Sequence, residues 1–179
     1  MKMNRVFIPA MVASVILSSS AMAASSNTIT FMGEVTDQTC SININGSAAA
    51  PVVLLPSVAT SVLAKSADTA GTTNFDVGVS GCTANPAGMN VSSEFVGNNI
   101  SSTTGNLANS GTASNVEIQI LDTTGKDIDF RNAFRGAGDL ALQANETQKT
   151  ASYSVQYYAT GAATVGTVQA SMQYAVSYQ

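Results

Sequence analysis

The C-terminal stretch Gly166-Thr-Val-Gln-Ala-Ser-Met-Gln-Tyr-Ala-Val-Ser-Tyr-Gln179 decides the fold of this chain. Apolar side chains recur in it at every second position: Val168, Ala170, Met172, Tyr174, Val176 and Tyr178. A period of two over this length predicts a β-strand with one buried face. The sequence given ends there, so we expect the partner of this strand to come from earlier in the chain or from another molecule.

A second alternating stretch lies near the other end of the chain. Its apolar face is formed by Ile29, Phe31, Gly33 and Val35, just ahead of the first cysteine. This segment predicts a strand, either the ordinary first strand of its own domain or a strand supplied to another molecule. The C-terminal strand has the same two interpretations, an ordinary core strand and a docking edge.

The first residues have the pattern of an export signal. Lys2 and Arg5 form a positive start, and 6–17 is an apolar run. The small residues around Ala23 predict cleavage between Ala23 and Ala24. A membrane anchor is the alternative, but the apolar run is short for crossing a bilayer. We therefore expect an exported mature protein.

Composition narrows the class of protein. Loss of Lys2 and Arg5 leaves 7 − 2 = 5 basic residues against 11 acidic ones, a mature net charge of 5 − 11 = −6. An acidic chain is a poor binder of nucleic acid. The chain has no histidine, which excludes His-based catalytic triads and His-bearing zinc sites. No Ser, Asp or Glu has a base at motif spacing, and we predict neither enzymatic activity nor a cofactor.

Cys40 and Cys82 are the two cysteines of the chain. In an exported protein an even pair predicts a disulfide, and two buried free thiols are the alternative. The carboxylates of Asp122, Asp127 and Asp129 could suggest calcium, but they lack the loop spacing of such a site, so no metal site is predicted.

Short alternating segments occur throughout the rest of the chain, and no helical apolar stripe interrupts them. Strands are expected at 41–45, 52–55, 75–80, 89–96, 116–121 and 152–157, with a surface loop at 98–114. Short strands with turns between them predict an all-β sandwich.

Taken together, these motifs resemble the major subunits of type 1-like fimbriae, which are assembled by the chaperone–usher pathway. The resemblance rests on the penultimate Tyr178, on Gly166 fourteen residues from the end, on the Phe31-x-Gly33-x-Val35 pattern, and on two cysteines about forty residues apart. It covers essentially the whole mature chain. Singly these motifs are weak, but in this order they are specific.

The resemblance implies an immunoglobulin-like sandwich that lacks its last strand. Residues 1–23 would be a signal peptide, 24–36 an N-terminal donor-strand extension and 37–179 the pilin domain. The donor residues would be Ile29, Phe31, Gly33 and Val35, and the C-terminal strand would bind a chaperone and then a neighbour. Implied partners are a periplasmic pilus chaperone, an outer-membrane usher, further copies of the chain and minor tip subunits.

The implied role is that of a structural subunit of a fimbrial shaft, exported through the periplasm to the cell surface, that supports cell adhesion. Two alternatives remain open from the sequence: a minor or adaptor subunit, and an exported immunoglobulin-like adhesive binding module.

Overall fold

Eight β-strands and one 3₁₀ turn form the regular structure of the residues that the computed structural model describes, 40–49 and 51–179. The strands are β1 Ser41–Ile44, β2 Thr69–Ser80, β3 Val91–Gly97, β4 Leu107–Ala108, β5 Val116–Leu121, β6 Phe134–Arg135, β7 Lys149–Ala159 and β8 Met172–Tyr178. The 3₁₀ turn is Thr60–Val62. The all-β prediction is confirmed.

The strands form two antiparallel sheets. The larger has the order β1-β2-β7-β5-β4, and the smaller has the order β6-β3-β8. Long strands β2 and β7 form the centre of the larger sheet, with a register shift between Ala70 and Thr73. In the smaller sheet β8 pairs with β3 from Val91 opposite Tyr178 to Gly97 opposite Met172. Within the described residues, β8 is therefore an edge strand.

The hydrophobic core consists of the alternating residues that the strands direct inward. Its buried members include Phe75, Val77, Val79, Val91, Phe95, Ile118, Ile120, Tyr153 and Val155. The Phe95 ring meets Tyr153 edge to face, with centroids 4.9 Å apart, and this contact joins the smaller sheet to the larger one. Each strand alternates between this core and solvent, as the period of two requires.

A buried polar cluster links the two sheets beside these rings. The Tyr153 hydroxyl donates to Asp139 Oδ2 at 2.7 Å, and the Ser93 hydroxyl donates to the same oxygen at 2.7 Å. The Ser93 backbone N–H donates to Asp139 Oδ1 at 3.0 Å. Burial raises the pKa of Tyr153 above its usual value, so the phenol remains a donor. No sequence pattern marks Asp139, which lies in a stretch punctuated by glycine and alanine.

Two local expectations differ from the structure. Residues 52–55 form no ladder with any described residue and are extended rather than a strand. The polar stretch 98–114 is not wholly a surface loop, because Asn106 and Leu107 are buried and β4 pairs there with β5. A short strand pair within a Gly- and Asn-rich stretch has too little apolar periodicity to be recognised.

Candidate functional site

An open groove runs along the C-terminal segment, next to the core of the sandwich. It encloses about 750 Å³ between two walls, 51–55 and 167–174. Side chains from all five strands of the larger sheet form its floor: Ile44, Phe75, Leu107, Ile118, Ile120, Val155 and Tyr157. The floor is therefore almost entirely apolar.

The first wall is an extended segment flanked by Pro51 and Pro56. Val53 and Leu55 pack against the core, whereas the Val52 side chain is 75% exposed and Leu54 is 82% exposed. Prolines lack the N–H that a central strand needs, so such a segment is suited to an edge. The segment predicted as a strand at 52–55 is thus an extended wall that pairs with no described neighbour.

The second wall is the C-terminal segment itself. The structure confirms its alternation, because the inward residues all pack against the core: Val168, Ala170, Met172, Tyr174, Val176 and Tyr178. The residues between them are exposed, except for the buried Ser177. The regular strand is shorter than predicted, since ladder pairing with β3 begins only at Met172.

Before Met172, a loop replaces β3 as the neighbour of the C-terminal segment. The Ala113 N–H donates to the Thr167 carbonyl at 3.0 Å, and the Ser110 N–H donates to the Gln169 carbonyl at 2.8 Å. The Gln169 N–H in turn donates to Asn109 Oδ1 at 2.8 Å. The loop 109–113 thus acts as a substitute strand, and no sequence pattern predicts this pairing.

The opposite edge of the same segment has unused backbone groups. In an extended chain the N–H and C=O of successive residues point alternately to the two sides. Thr167 and Gln169 direct theirs to the loop, so Val168 and Ala170 direct theirs to the groove. Among the described residues, the backbone groups of Val168 and Ala170 have no hydrogen-bond partner. The groove therefore presents both an apolar floor and an open ladder edge, the two requirements for adding a strand.

A smaller cavity of about 380 Å³ continues the groove between 57–60 and 163–168. Tyr157 and Val168 line both spaces. Burial raises the pKa of Tyr157, so its hydroxyl stays neutral at physiological pH and adds no charge to the groove.

The far end of the groove wall is joined to the start of the described chain. The Cys40 backbone N–H donates to the Tyr178 hydroxyl oxygen at 3.1 Å. Cys40 is also disulfide-bonded to Cys82, as predicted from the sequence. Cys40 is thus held both by the smaller sheet, through Tyr178, and by the segment that follows β2.

Comparison with known proteins identifies the family. The family model described as "Fimbrial protein" matches residues 29–179. The chain belongs to the fimbrial protein family. Fimbrial subunits occur on the cell surface as fimbriae, and the family is one of structural subunits.

Relatives of this fimbrial chain match it over most of their length. The F17 fimbrial protein of Escherichia coli is 39% identical over 168 residues, covering 90% of this chain and 92% of that protein. A major fimbrial subunit of Stenotrophomonas maltophilia is 33% identical over 166 residues, covering 88% and 95%.

A solved structure supports the fold. The crystal structure of the P pilus rod subunit PapA matches with a TM-score of 0.59 at 16% identity, covering 78% of this chain and 99% of that one. At this identity the likeness bears on the fold alone, and it agrees with the predicted incomplete immunoglobulin-like sandwich.

Several predicted site residues lie outside the described part of the chain. These are the cleavage residues Ala23 and Ala24 and the donor residues Ile29, Phe31, Gly33 and Val35.

Within the described residues there is no helix long and apolar enough to cross a membrane, and no cluster of metal-ligating side chains. Asp122 accepts hydrogen bonds from Thr124 and from the Lys126 N–H, and Asp129 pairs with Arg131.

Proposed function

We propose that this fimbrial protein is a structural subunit of the fimbrial shaft that polymerises by donor-strand exchange. The observation that carries the proposal is the groove, where an apolar floor and an open backbone edge face the same space. In this reaction the extension 24–36 of one copy enters the groove of the next copy. The polymer serves adhesion, and the chain is not an enzyme.

The dimensions of the extension suit the groove. The wall 167–174 is eight residues long, roughly 26 Å at the rise of an extended chain. The donor face from Ile29 to Val35 spans seven residues, roughly 23 Å. Four inward positions of the donor therefore match the four inward wall positions Val168, Ala170, Met172 and Tyr174.

The chemistry of the donor face also suits the floor. Ile29, Phe31 and Val35 would each contribute about 1.5–3 kcal/mol when fully buried. Gly33 removes one side chain, so the donor backbone could approach a floor that includes the bulky rings of Phe75 and Tyr157. An apolar groove with an open ladder edge in the free subunit is an aggregation hazard. The proposal therefore includes a periplasmic chaperone that covers the groove before an outer-membrane usher mediates exchange.

The domain organisation follows from the same proposal. Residues 1–23 are removed at export, 24–36 act as the donor, and 37–179 form the acceptor domain. Minor tip subunits would share this exchange reaction, and nucleic acid would have no part in it.

Deletion of 24–36 tests the proposal in cells that carry the cognate chaperone and usher. The truncated subunit should still accumulate with its chaperone, because its acceptor domain is intact, but long fibres should be absent by electron microscopy. The matched control carries the outward-facing Thr30→Ser change and should form normal fibres. Long fibres from the truncated subunit would rule out the donor role. If deleting the whole gene left the main fibres in place, the protein would be a minor or adaptor subunit.

A further inference from the structure

We propose that Tyr178 is a positioning residue that fixes the direction in which the donor extension leaves the subunit body. This inference rests on the proposed donor-strand function and goes beyond it, because it assigns the penultimate tyrosine a role at the donor end. The observation is the hydrogen bond from the Cys40 N–H to the Tyr178 hydroxyl, across 138 positions of sequence.

Cys40 lies close to the point from which the extension departs. Residues 24–36 form the proposed extension, and three residues separate it from Cys40. Immediately after Cys40 the chain enters β1, with Ser41 opposite Ser80 of β2. The disulfide attaches Cys40 to the segment that follows β2. The first attachment belongs to the larger sheet, and the second belongs to the segment that follows its strand β2.

Tyr178 adds an attachment from the smaller sheet. Tyr178 pairs with Val91 in the β3–β8 ladder, and its side chain packs against the core. The phenol is half-buried, and this packing holds its ring in place. The hydroxyl therefore has a fixed position next to the Cys40 N–H. A residue held from both sheets has less freedom to pivot than one held from a single sheet.

The consequence concerns the joint between consecutive subunits. In a polymer the body of one copy is connected to its extension, bound in the next copy, through the residues just before Cys40. A fixed Cys40 gives the extension a fixed starting point on the body. If the Tyr178 hydroxyl is missing, we expect Cys40 to be held less firmly and the two bodies to sample a wider range of angles.

The first test measures the hydrogen bond directly in a subunit whose groove is filled. In this self-complemented chain a second copy of 27–37 follows Gln179 through a short Gly/Ser linker. Tyr178→Phe keeps the ring and removes only the hydroxyl, so exchange of the Cys40 amide hydrogen should become about fivefold faster, the effect of one net hydrogen bond. Tyr158→Phe, on β7 and outside the groove lining, is the matched control and should leave that rate unchanged.

The second test measures the joint in a complex of two copies. The donor copy is the self-complemented chain, with its own 24–36 free, and the acceptor copy lacks 24–36. A nitroxide label at the exposed Thr123 of each copy reports the distance between the bodies by pulsed electron spin resonance. Tyr178→Phe in the donor copy should broaden the distance distribution, whereas Tyr178→Phe in the acceptor copy and Tyr158→Phe in either copy should not.

The outcomes separate this inference from the proposed function. If the two unsubstituted copies form no complex, donor-strand exchange is wrong. If they form it and the donor Tyr178→Phe distribution equals the unsubstituted one, the positioning role is overturned. A loss of thermal stability without broadening would also overturn it, because that result would assign the hydroxyl a purely structural role. Broadening with faster Cys40 exchange, and an unchanged acceptor variant, supports it.

Discussion

Gly166 lies against the backbone of Ala113, where a β-carbon added to the glycine would come within 2.7 Å of the Ala113 α-carbon. This contact brings the start of the C-terminal segment beside the loop 109–113. It lies next to the hydrogen bond from the Ala113 N–H to the Thr167 carbonyl. The glycine fourteen residues from the end is thus required by the close approach of two backbones.

Gly166→Ala should destabilise the fold, because the added methyl group meets backbone atoms that cannot rotate away. Overpacking of this kind typically costs about 1–3 kcal/mol. Gly161→Ala is the control, since a β-carbon there would have its nearest contact at 3.6 Å, an ordinary van der Waals distance. Urea unfolding of the self-complemented chain should resolve the two variants. Equal midpoints for Gly166→Ala and Gly161→Ala would contradict the role of the close approach.

Alkaline pH should weaken the tie between the sheets. Burial raises the pKa of the folded Tyr153 above the ordinary value of 10.0. A group whose folded pKa is raised contributes stability that is complete below its unfolded pKa and is lost as the pH rises through the folded value. The free energy of unfolding should therefore fall above about pH 10. Tyr153→Phe should reduce this fall in the free energy of unfolding.

The neutral-pH cost of Tyr153→Phe should be about 1 kcal/mol, because Asp139 loses one of its hydrogen bonds but keeps those from Ser93. Unfolding at pH 7 measures this value. If Tyr153→Phe were as stable as the unsubstituted chain both at pH 7 and at alkaline pH, the Tyr153 hydroxyl would not link the two sheets.

Sequence periodicity predicted the fold because each long strand has one face in the core. β5 illustrates this, since Val116, Ile118 and Ile120 are buried and alternate with partly exposed residues. The alternation of the C-terminal segment likewise identified one wall of the groove. What periodicity could not reveal is contact between distant polar residues, such as Asp139 with Tyr153.

The wall 51–55 and the loop 109–113 could not be predicted from the sequence, for a related physical reason. The wall 51–55 has apolar residues on both faces, with Val52 and Leu54 exposed, so it has no alternating signature. The loop 109–113 pairs through backbone and side-chain amide groups, which leave no hydrophobic pattern in the sequence. Only its glycine, Gly111, gave a local sign of a close approach, and a polar loop contains glycines for many reasons.

The donor face should be sensitive to inward substitutions and insensitive to outward ones. Phe31→Ala removes a large ring that the groove floor would bury, at a cost of about 3–5 kcal/mol if the donor strand is fully packed. Thr30→Ala, one position away, alters the outward face and should cost far less. Fibre yield by electron microscopy and the dissociation temperature of the two-copy complex measure the difference. If Phe31→Ala and Thr30→Ala had similar effects, residues 28–35 would not bind in the groove through their apolar face.

Export should yield a mature chain that begins at Ala24 and contains the Cys40–Cys82 disulfide. Intact-mass spectrometry of the periplasmic protein should give the mass of 24–179 less two hydrogens. The disulfide closes a loop with a sequence separation of 42, which on the chain-entropy model stabilises the fold by about 4 kcal/mol. Replacing both cysteines by serine should lower stability by an amount of that order. A free-thiol mass under non-reducing conditions would contradict the prediction.

Filling the groove in cis should raise the thermal stability of the monomer. In the self-complemented chain, the appended 27–37 can add a strand along Val168 and Ala170 and bury its own apolar face. The three large side chains contribute about 1.5–3 kcal/mol each, and each new ladder hydrogen bond adds about 1 kcal/mol. Closing the linker costs a few kcal/mol of chain entropy, so a net gain of several kcal/mol should remain.

For a domain of this length, 1 kcal/mol shifts the melting temperature by about 2–4 °C, so the fusion should melt about 10 °C or more above the unfused mature chain. The matched control carries Phe31→Ala within the appended copy alone and should lose a substantial part of the gain, because the linker and the other residues are unchanged. The fusion should also remain monomeric by light scattering, since its groove is occupied. Equal melting temperatures for the fused and unfused chains, with the unfused chain a stable monomer, would mean that the sandwich is complete by itself. The protein would then be an independent exported binding module instead of a polymer subunit.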